Sequence, residues 1–100
     1  QSEQFKWERN AEENAWTNQL NATAQGILLL EKALQSNQRN AQNMEALLRA
    51  EREKLRLGDS ELLKVNLRTS YFAKALIQQA GAQSELGIKW AEWLQLSAGY

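Results

Sequence analysis

Apolar residues in the first half of the chain recur at alternating spacings of three and four residues. This rhythm picks out nine positions between 27 and 55, and seven of them are apolar: Ile27, Leu30, Leu34, Ala41, Met44, Leu48 and Leu55. A heptad pattern of this kind marks the seam along which one helix packs against another. The polar members are Asn37 and Glu51, and the rhythm continues backwards to Leu20 and Trp16, with Thr23 and Glu13 as further polar positions.

A second seam follows the same rhythm in the second half of the chain and contains more polar residues. Its positions are Leu62, Val65, Thr69, Phe72, Leu76, Gln79, Gln83, Leu86, Trp90 and Trp93. The two seams together predict an all-α fold, a long antiparallel two-helix coiled-coil hairpin. Apolar residues off the seams, such as Leu28, Leu63 and Ile77, predict a second contact face on each helix.

The stretch LRLGDSELLKV, residues 55–65, separates the two seams and contains the signals of a tight turn. Gly58 suits the position just past a helix end, where a left-handed backbone favours glycine. Asp59 or Ser60 then offers a side-chain oxygen to cap the next helix. We therefore predict a descending helix over residues 1–57, a tip at 58–60 and an ascending helix over 61–100, as one module of a larger protein. A kinked continuous helix is the alternative.

A reversal at Gly58 also predicts which residues face each other. Positions equally distant from the turn should meet, so Gly26 should lie near Trp90, and Gly87 near Leu29 and Leu30. Small residues opposite large ones allow antiparallel helices to pack closely. At about 1.5 Å per residue, the longer helix should reach about 80 Å.

Composition narrows the classes of function. Twelve basic residues balance twelve acidic ones, so charge does not point to nucleic acid or an anionic membrane as partner. His and Cys are absent, which removes the usual acid–base catalyst, disulfides and most zinc sites. The neighbouring carboxylates Glu12 and Glu13, or Glu51 and Glu53, do not share a helix face. We expect no enzyme activity, no cofactor and no metal site.

Charged residues concentrate just before the turn, from Arg49 to Arg56. Spacings of four, such as Glu45 to Arg49, are typical of a solvated helix face. The alternative is a polar collar that meets a partner near the tip.

Residues 46–76 resemble the periplasmic hairpins of TolC-type outer membrane efflux proteins. The family's hairpins turn at a basic or aromatic residue, then an apolar–Gly pair, then a hydroxyl residue and paired apolar residues. In this chain the matching residues are Arg56, Leu57, Gly58, Ser60, Leu62, Leu63, Val65 and Asn66, and Arg68 continues the run. The match covers residues 46–76, and before residue 41 and after residue 76 it is one of general character.

The resemblance implies a function that periodicity alone does not give. Family members are trimers with a β-barrel in the outer membrane of Gram-negative bacteria and an α-helical tunnel across the periplasm. Periplasmic adaptor proteins dock on the hairpin tips and connect the duct to an inner-membrane pump. Carried over, the docking tip is Leu57, Gly58, Asp59 and Ser60. This chain would be one periplasmic hairpin that meets the membrane only through a barrel it does not contain.

Two departures from the family pattern bear on the tip. Ser60 follows Gly58 by two residues, whereas many relatives place the hydroxyl residue three after the glycine. A Tyr and an Arg that help close the entrance in the best-known relatives correspond to Leu55 and Ser60, so that latch is absent.

Two other hypotheses remain open from the sequence. The first is the α-hairpin of a periplasmic adaptor, whose tip carries an Arg, a Leu and a Ser. In this chain Arg52, Leu55 and Ser60 are spaced too closely for that pattern. The second is a generic coiled-coil oligomerisation module.

Overall fold

A computed structural model describes residues 2–99, with side chains from residue 3 onwards. Helix α1 spans Ser2–Arg56 and helix α2 spans Leu62–Ala98. The two pack side by side into a rod of 85 × 16 × 14 Å. The prediction of an all-α antiparallel hairpin is confirmed, and the kinked continuous helix is wrong. The outermost ends of the predicted helices, residues 1 and 100, lie outside the described residues.

The predicted seam of α1 is confirmed from Trp16 to Leu55, whereas Glu13, the position before Trp16, is exposed. Every position in the rhythm from Trp16 to Leu55 is buried or half-buried. Ile27, Ala41 and Leu48 are the buried apolar members, while Thr23 and Glu51 are buried polar members. The Thr23 hydroxyl donates to the Gln19 carbonyl at 2.9 Å, so its burial leaves no unpaired donor. The helix extends this far because the sequence has no proline and is rich in strong helix formers.

The predicted seam of α2 is correct at alternate positions and wrong between them. Val65, Phe72, Gln79, Leu86 and Trp93 are buried or half-buried as predicted. The intervening inward positions lie one residue earlier than predicted: they are Arg68, Ala75, Ala82 and Lys89, with Leu96 at the end.

The predicted seam residues Leu62, Leu76 and Trp90 are accordingly not in the seam. Their exposed fractions are 63%, 45% and 43%, against 2% for Ala75. Thr69 and Gln83 are exposed as well. At Ala75 and Ala82 the physical reason is size, since small residues on α2 let the helix axes approach. Arg68 lies inward because it pairs with Glu51, and the stem of Lys89 lies against Gly26.

The predicted pairing across the hairpin holds to within two residues at Gly26 and to within five at Trp16, and the role of its glycines differs. Trp16 Nε1 donates to the Leu96 carbonyl at 2.8 Å, which ties the two helices far from the turn. A Cβ built on Gly26 would lie 3.8 Å from Lys89 Cε, an ordinary contact, so Gly26 faces a lysine stem rather than Trp90. A Cβ built on Gly87 would meet nothing within 4 Å. Neither glycine is needed for close packing.

The turn forms as predicted at Gly58 but is capped differently. Gly58 has φ +82°, its N–H donates to the Leu55 carbonyl at 3.1 Å, and the Asp59 N–H donates to the Lys54 carbonyl at 2.8 Å. These two bonds make a Schellman motif, which satisfies the last carbonyls of α1. The N-cap of α2 is Glu61, and no side chain caps it. The predicted capping role of Asp59 or Ser60 is therefore wrong, because Ser60 has another partner.

Candidate functional site

The tip joining α1 to α2 presents three of the four predicted docking residues to solvent. Leu57 is 59% exposed, although it is a large apolar residue at the end of a rod. Gly58 and Asp59 are exposed beside it. Ser60 differs, because it is half-buried and its hydroxyl points back towards α1. The exposed tip is therefore Leu57, Gly58 and Asp59.

Ser60 belongs to a polar cluster directly beneath the tip. Its Oγ donates to Glu51 Oε2 at 2.8 Å, and Arg68 Nε lies 3.6 Å from Glu51 Oε1. Glu51 is only 8% exposed, so a carboxylate on α1 is held by a hydroxyl from the turn and a guanidinium from α2. The cluster ties all three segments together at the tip end of the hairpin.

The electrostatics of this cluster favour the ionised carboxylate. The hydrogen bond from Ser60 lowers the pKa of Glu51 below its ordinary value of 4.5, burial opposes this, and the charges of Lys54 and Arg68 lower it further. Sequence reasoning placed Glu51 on the seam and in the charged stretch before the turn, and Arg68 at the end of the tip motif, but did not predict that they pair with each other and with Ser60. The signal was an acidic residue at a seam position, two turns before the glycine, where a buried charge needs a partner.

The charged residues before the turn pair mainly within α1. Arg49 bonds Glu45, and Arg56 bonds Glu53, each over three or four residues and with both side chains largely exposed. The hydrogen bond from Arg56 lowers the pKa of Glu53 and raises that of Arg56. Exposed pairs of this kind add little stability. The pairing is typical of a solvated face.

Far from the tip, the seam is flanked on both sides by apolar grooves. One groove is lined by Gly26, Leu29, Leu30, Glu85, Ile88 and Lys89. The groove on the other side is lined by Ala24, Ile27, Leu28, Glu31, Trp90 and Trp93. Leu28, Leu29, Ile88 and Trp90 are all exposed there. The second contact faces predicted from off-seam apolar residues are therefore present and uncovered.

No protein-family model, no curated protein and no solved structure matches this chain. Neither helix contains, within residues 2–99, a stretch long and apolar enough to cross a membrane. Over the same residues, no group of three or more acidic side chains is placed to hold a metal ion.

Proposed function

We propose that this chain is a periplasmic hairpin of a TolC-type outer membrane efflux duct. Its seam and side faces would form part of a tunnel wall in a trimer, and its tip would dock a periplasmic adaptor that couples the duct to an inner-membrane pump. The proposal rests on the tip motif of residues 56–66, whose likeness to that family is one of sequence.

The observation that best supports a docking role is the exposed Leu57 beside Gly58. An apolar side chain that is 59% exposed at the end of an 85 Å rod makes no contribution to the seam. Exposed apolar side chains of this kind contribute the central contacts of protein interfaces. Beneath it, the bonds from Ser60 and Arg68 to Glu51 hold the turn in one shape. Such preorganisation reduces the entropy lost when a partner binds.

The uncovered grooves support the wall role as well. A two-helix hairpin buries only a few side chains by itself, since its buried apolar residues are Ile27, Ala41, Leu48, Val65 and Ala75. A helix in a tunnel wall packs on two sides and needs two apolar faces. Both sides of this seam offer one.

A generic oligomerisation module is the second candidate, and the same uncovered faces favour it. The adaptor hairpin is less well supported. Of its three tip residues, Leu55 is half-buried and the Ser60 hydroxyl is bonded to Glu51, so they are not presented together with Arg52.

Site-specific photocrosslinking in the intact parent protein tests the docking tip. A photoreactive amino acid at Asp59 should crosslink to a periplasmic adaptor in living cells. The same group at Arg39, exposed about two thirds of the way along α1, serves as the matched control and should not. Equal crosslinking from both positions, or none from Asp59, would contradict the docking role.

Export measurements with Leu57 variants provide a second, functional test of the docking tip. Leu57→Asp should reduce export by the intact duct, because it replaces the apolar docking contact by a charge. Leu57 lies outside the seam, so this change leaves the packing of the two helices intact. Leu57→Met keeps an apolar side chain of similar size and should retain export. Unchanged export by Leu57→Asp, with normal amounts of the protein in the membrane, would count against the proposal.

A further inference from the structure

One side of α2 is exposed and carries no charge over its full length. Three columns of residues spaced seven apart, beginning at Leu62, Leu63 and Asn66, are exposed at every position. All six charged residues of α2 fall outside these columns. The columns contain Leu76, Ile77, Trp90 and Leu94 as further large apolar side chains, and small or uncharged polar residues fill the rest. We call this surface the α2 face.

The α2 face is long enough for an interface of moderate size. Its length is that of α2, about 55 Å for 37 residues at 1.5 Å each. A helix with its side chains is about 10 Å across, so the strip has a projected area on the order of 550 Å². That approaches the roughly 800 Å² that each partner contributes to a standard protein interface. A face this long without charge requires a partner that also presents a long uncharged strip, since unpaired charges are excluded from interface centres.

The charge distribution of the rod favours one direction of pairing between two copies. Residues 39–78, on the tip side of Gln78, contain eight basic and five acidic residues. Residues 19–38 and 79–98, at the same distances on the other side of Gln78, contain two basic and three acidic ones. Within this span each copy therefore has a positive half nearer the tip and a slightly negative half nearer the open end. An antiparallel pair brings opposite halves together, whereas a parallel pair brings like halves together, and such complementarity selects orientation.

The antiparallel arrangement also matches two of the large residues with smaller ones. A two-fold axis at Gln78 brings Leu76 of each copy opposite Ala80 of the other, and Trp90 opposite Asn66, while Leu62 meets Leu94 in an apolar contact. Large side chains opposite small ones are what close helix packing needs.

We infer that the α2 face binds a second copy of this chain, in an antiparallel two-fold dimer with the two tips at opposite ends. The inference concerns the chain by itself and does not rest on the efflux-duct proposal, in which part of the same face, at Trp90, would contact a neighbouring hairpin whose tip is at the same end. The two can therefore fail separately.

Sedimentation equilibrium of the chain tests the dimer and its surface. The chain should sediment as a dimer at about 0.1 mM, and Leu76→Lys should raise Kd at least about tenfold, because each dimer would bury two new charges. Leu47→Lys is the matched control: Leu47 is similarly exposed but lies on α1, so Kd should not change. Circular dichroism confirms that both variants remain helical.

Spin labels at the tip test the orientation. The chain has no cysteine, so Asp59→Cys gives a single labelling site. In the antiparallel dimer the two labels lie roughly 55 Å apart, twice the rise from Gln78 to the tip. A distance below about 20 Å, a monomer at 0.1 mM, or equal weakening by Leu47→Lys would overturn the inference. None of these results would affect the adaptor crosslink expected from the intact parent protein.

Discussion

Replacing Gly58 by alanine should destabilise the hairpin by about 1 kcal/mol, because of backbone geometry alone. The φ of Gly58 is +82°, and a Cβ there would meet nothing within 4 Å, so no side-chain clash contributes. An L-residue in a left-handed conformation costs about 1–2 kcal/mol. Part of this cost is offset, because alanine lowers the conformational entropy of the unfolded chain. That effect stabilises the folded state by about 0.4–1 kcal/mol.

Gly81→Ala is the matched control and should have the opposite sign. Gly81 lies within α2, is exposed, and a Cβ built on it also meets nothing within 4 Å. Alanine in the middle of a helix is better than glycine by about 0.5–1 kcal/mol. The two variants should therefore differ by about 1.5–2 kcal/mol, although they make the same chemical change.

Urea unfolding followed by circular dichroism measures both variants at one protein concentration, so that self-association does not alter the comparison. In thermal unfolding, a 1 kcal/mol change in a domain of this size corresponds to about 4–8 °C in Tm. Gly58→Asn should fall between wild type and Gly58→Ala, because asparagine tolerates the left-handed region better. A Gly58→Ala variant as stable as wild type would refute this account of the turn.

Three further predictions concern the seam, the open end and the tip cluster. Leu48→Ala should lower the free energy of unfolding by about 2–5 kcal/mol, since Leu48 is buried in the seam, whereas Leu47→Ala should cost well under 1 kcal/mol. Trp16→Phe should cost about 0.5–1.5 kcal/mol by removing the 2.8 Å bond to the Leu96 carbonyl, and the loss should appear as faster hydrogen exchange at the open end. The folded-state pKa of Glu51 lies below 4.5, so the contribution of its ionised carboxylate to the free energy of unfolding is complete above that pH and is lost as the pH falls further. Glu51→Gln removes this contribution, so the free energy of unfolding should decline less steeply in acid.

The seam of α1 could be predicted from the sequence because most of its positions hold large apolar residues, the type that is usually buried. Ile27, Leu34 and Leu48 are large and apolar, and they recur with a rhythm that only one helix face satisfies. Even the polar members, Thr23 and Glu51, occupy the predicted register. The glycine turn was equally clear, since Gly58 is the only glycine between Gly26 and Gly81.

The seam of α2 could not be predicted fully, because α2 has two stripes that each look suitable. The stripe through Leu76 and Trp90 is more hydrophobic than the stripe through Ala75 and Ala82, yet the second one is inside. Hydrophobicity ranks how much a residue gains from burial, but close packing against the large residues of α1 is decided by volume. The sequence of α2 alone does not indicate the shape of the α1 surface against which it packs.

The tip cluster was missed for a related reason. Ser60 lies next to the expected N-cap position, and a serine before a helix is usually read as a cap. Its hydroxyl bonds Glu51 instead, because burial of that carboxylate requires hydrogen-bond donors. Local signals predict local partners, and this bond joins residues nine positions apart.

The distances along the chain between bonded residues have a consequence for how the hairpin assembles. The Ser60–Glu51 bond closes a segment of nine residues, whereas the Trp16–Leu96 bond closes one of 80. If the Trp16–Leu96 bond formed alone, its longer loop would cost about 2 kcal/mol more in closure entropy than the loop of the Ser60–Glu51 bond. If the helices are already paired up to that point, forming it costs almost no further closure entropy. Folding should therefore start at the turn and proceed as a zipper towards the open end. Unfolding should begin at Trp16 and reach Glu51 last.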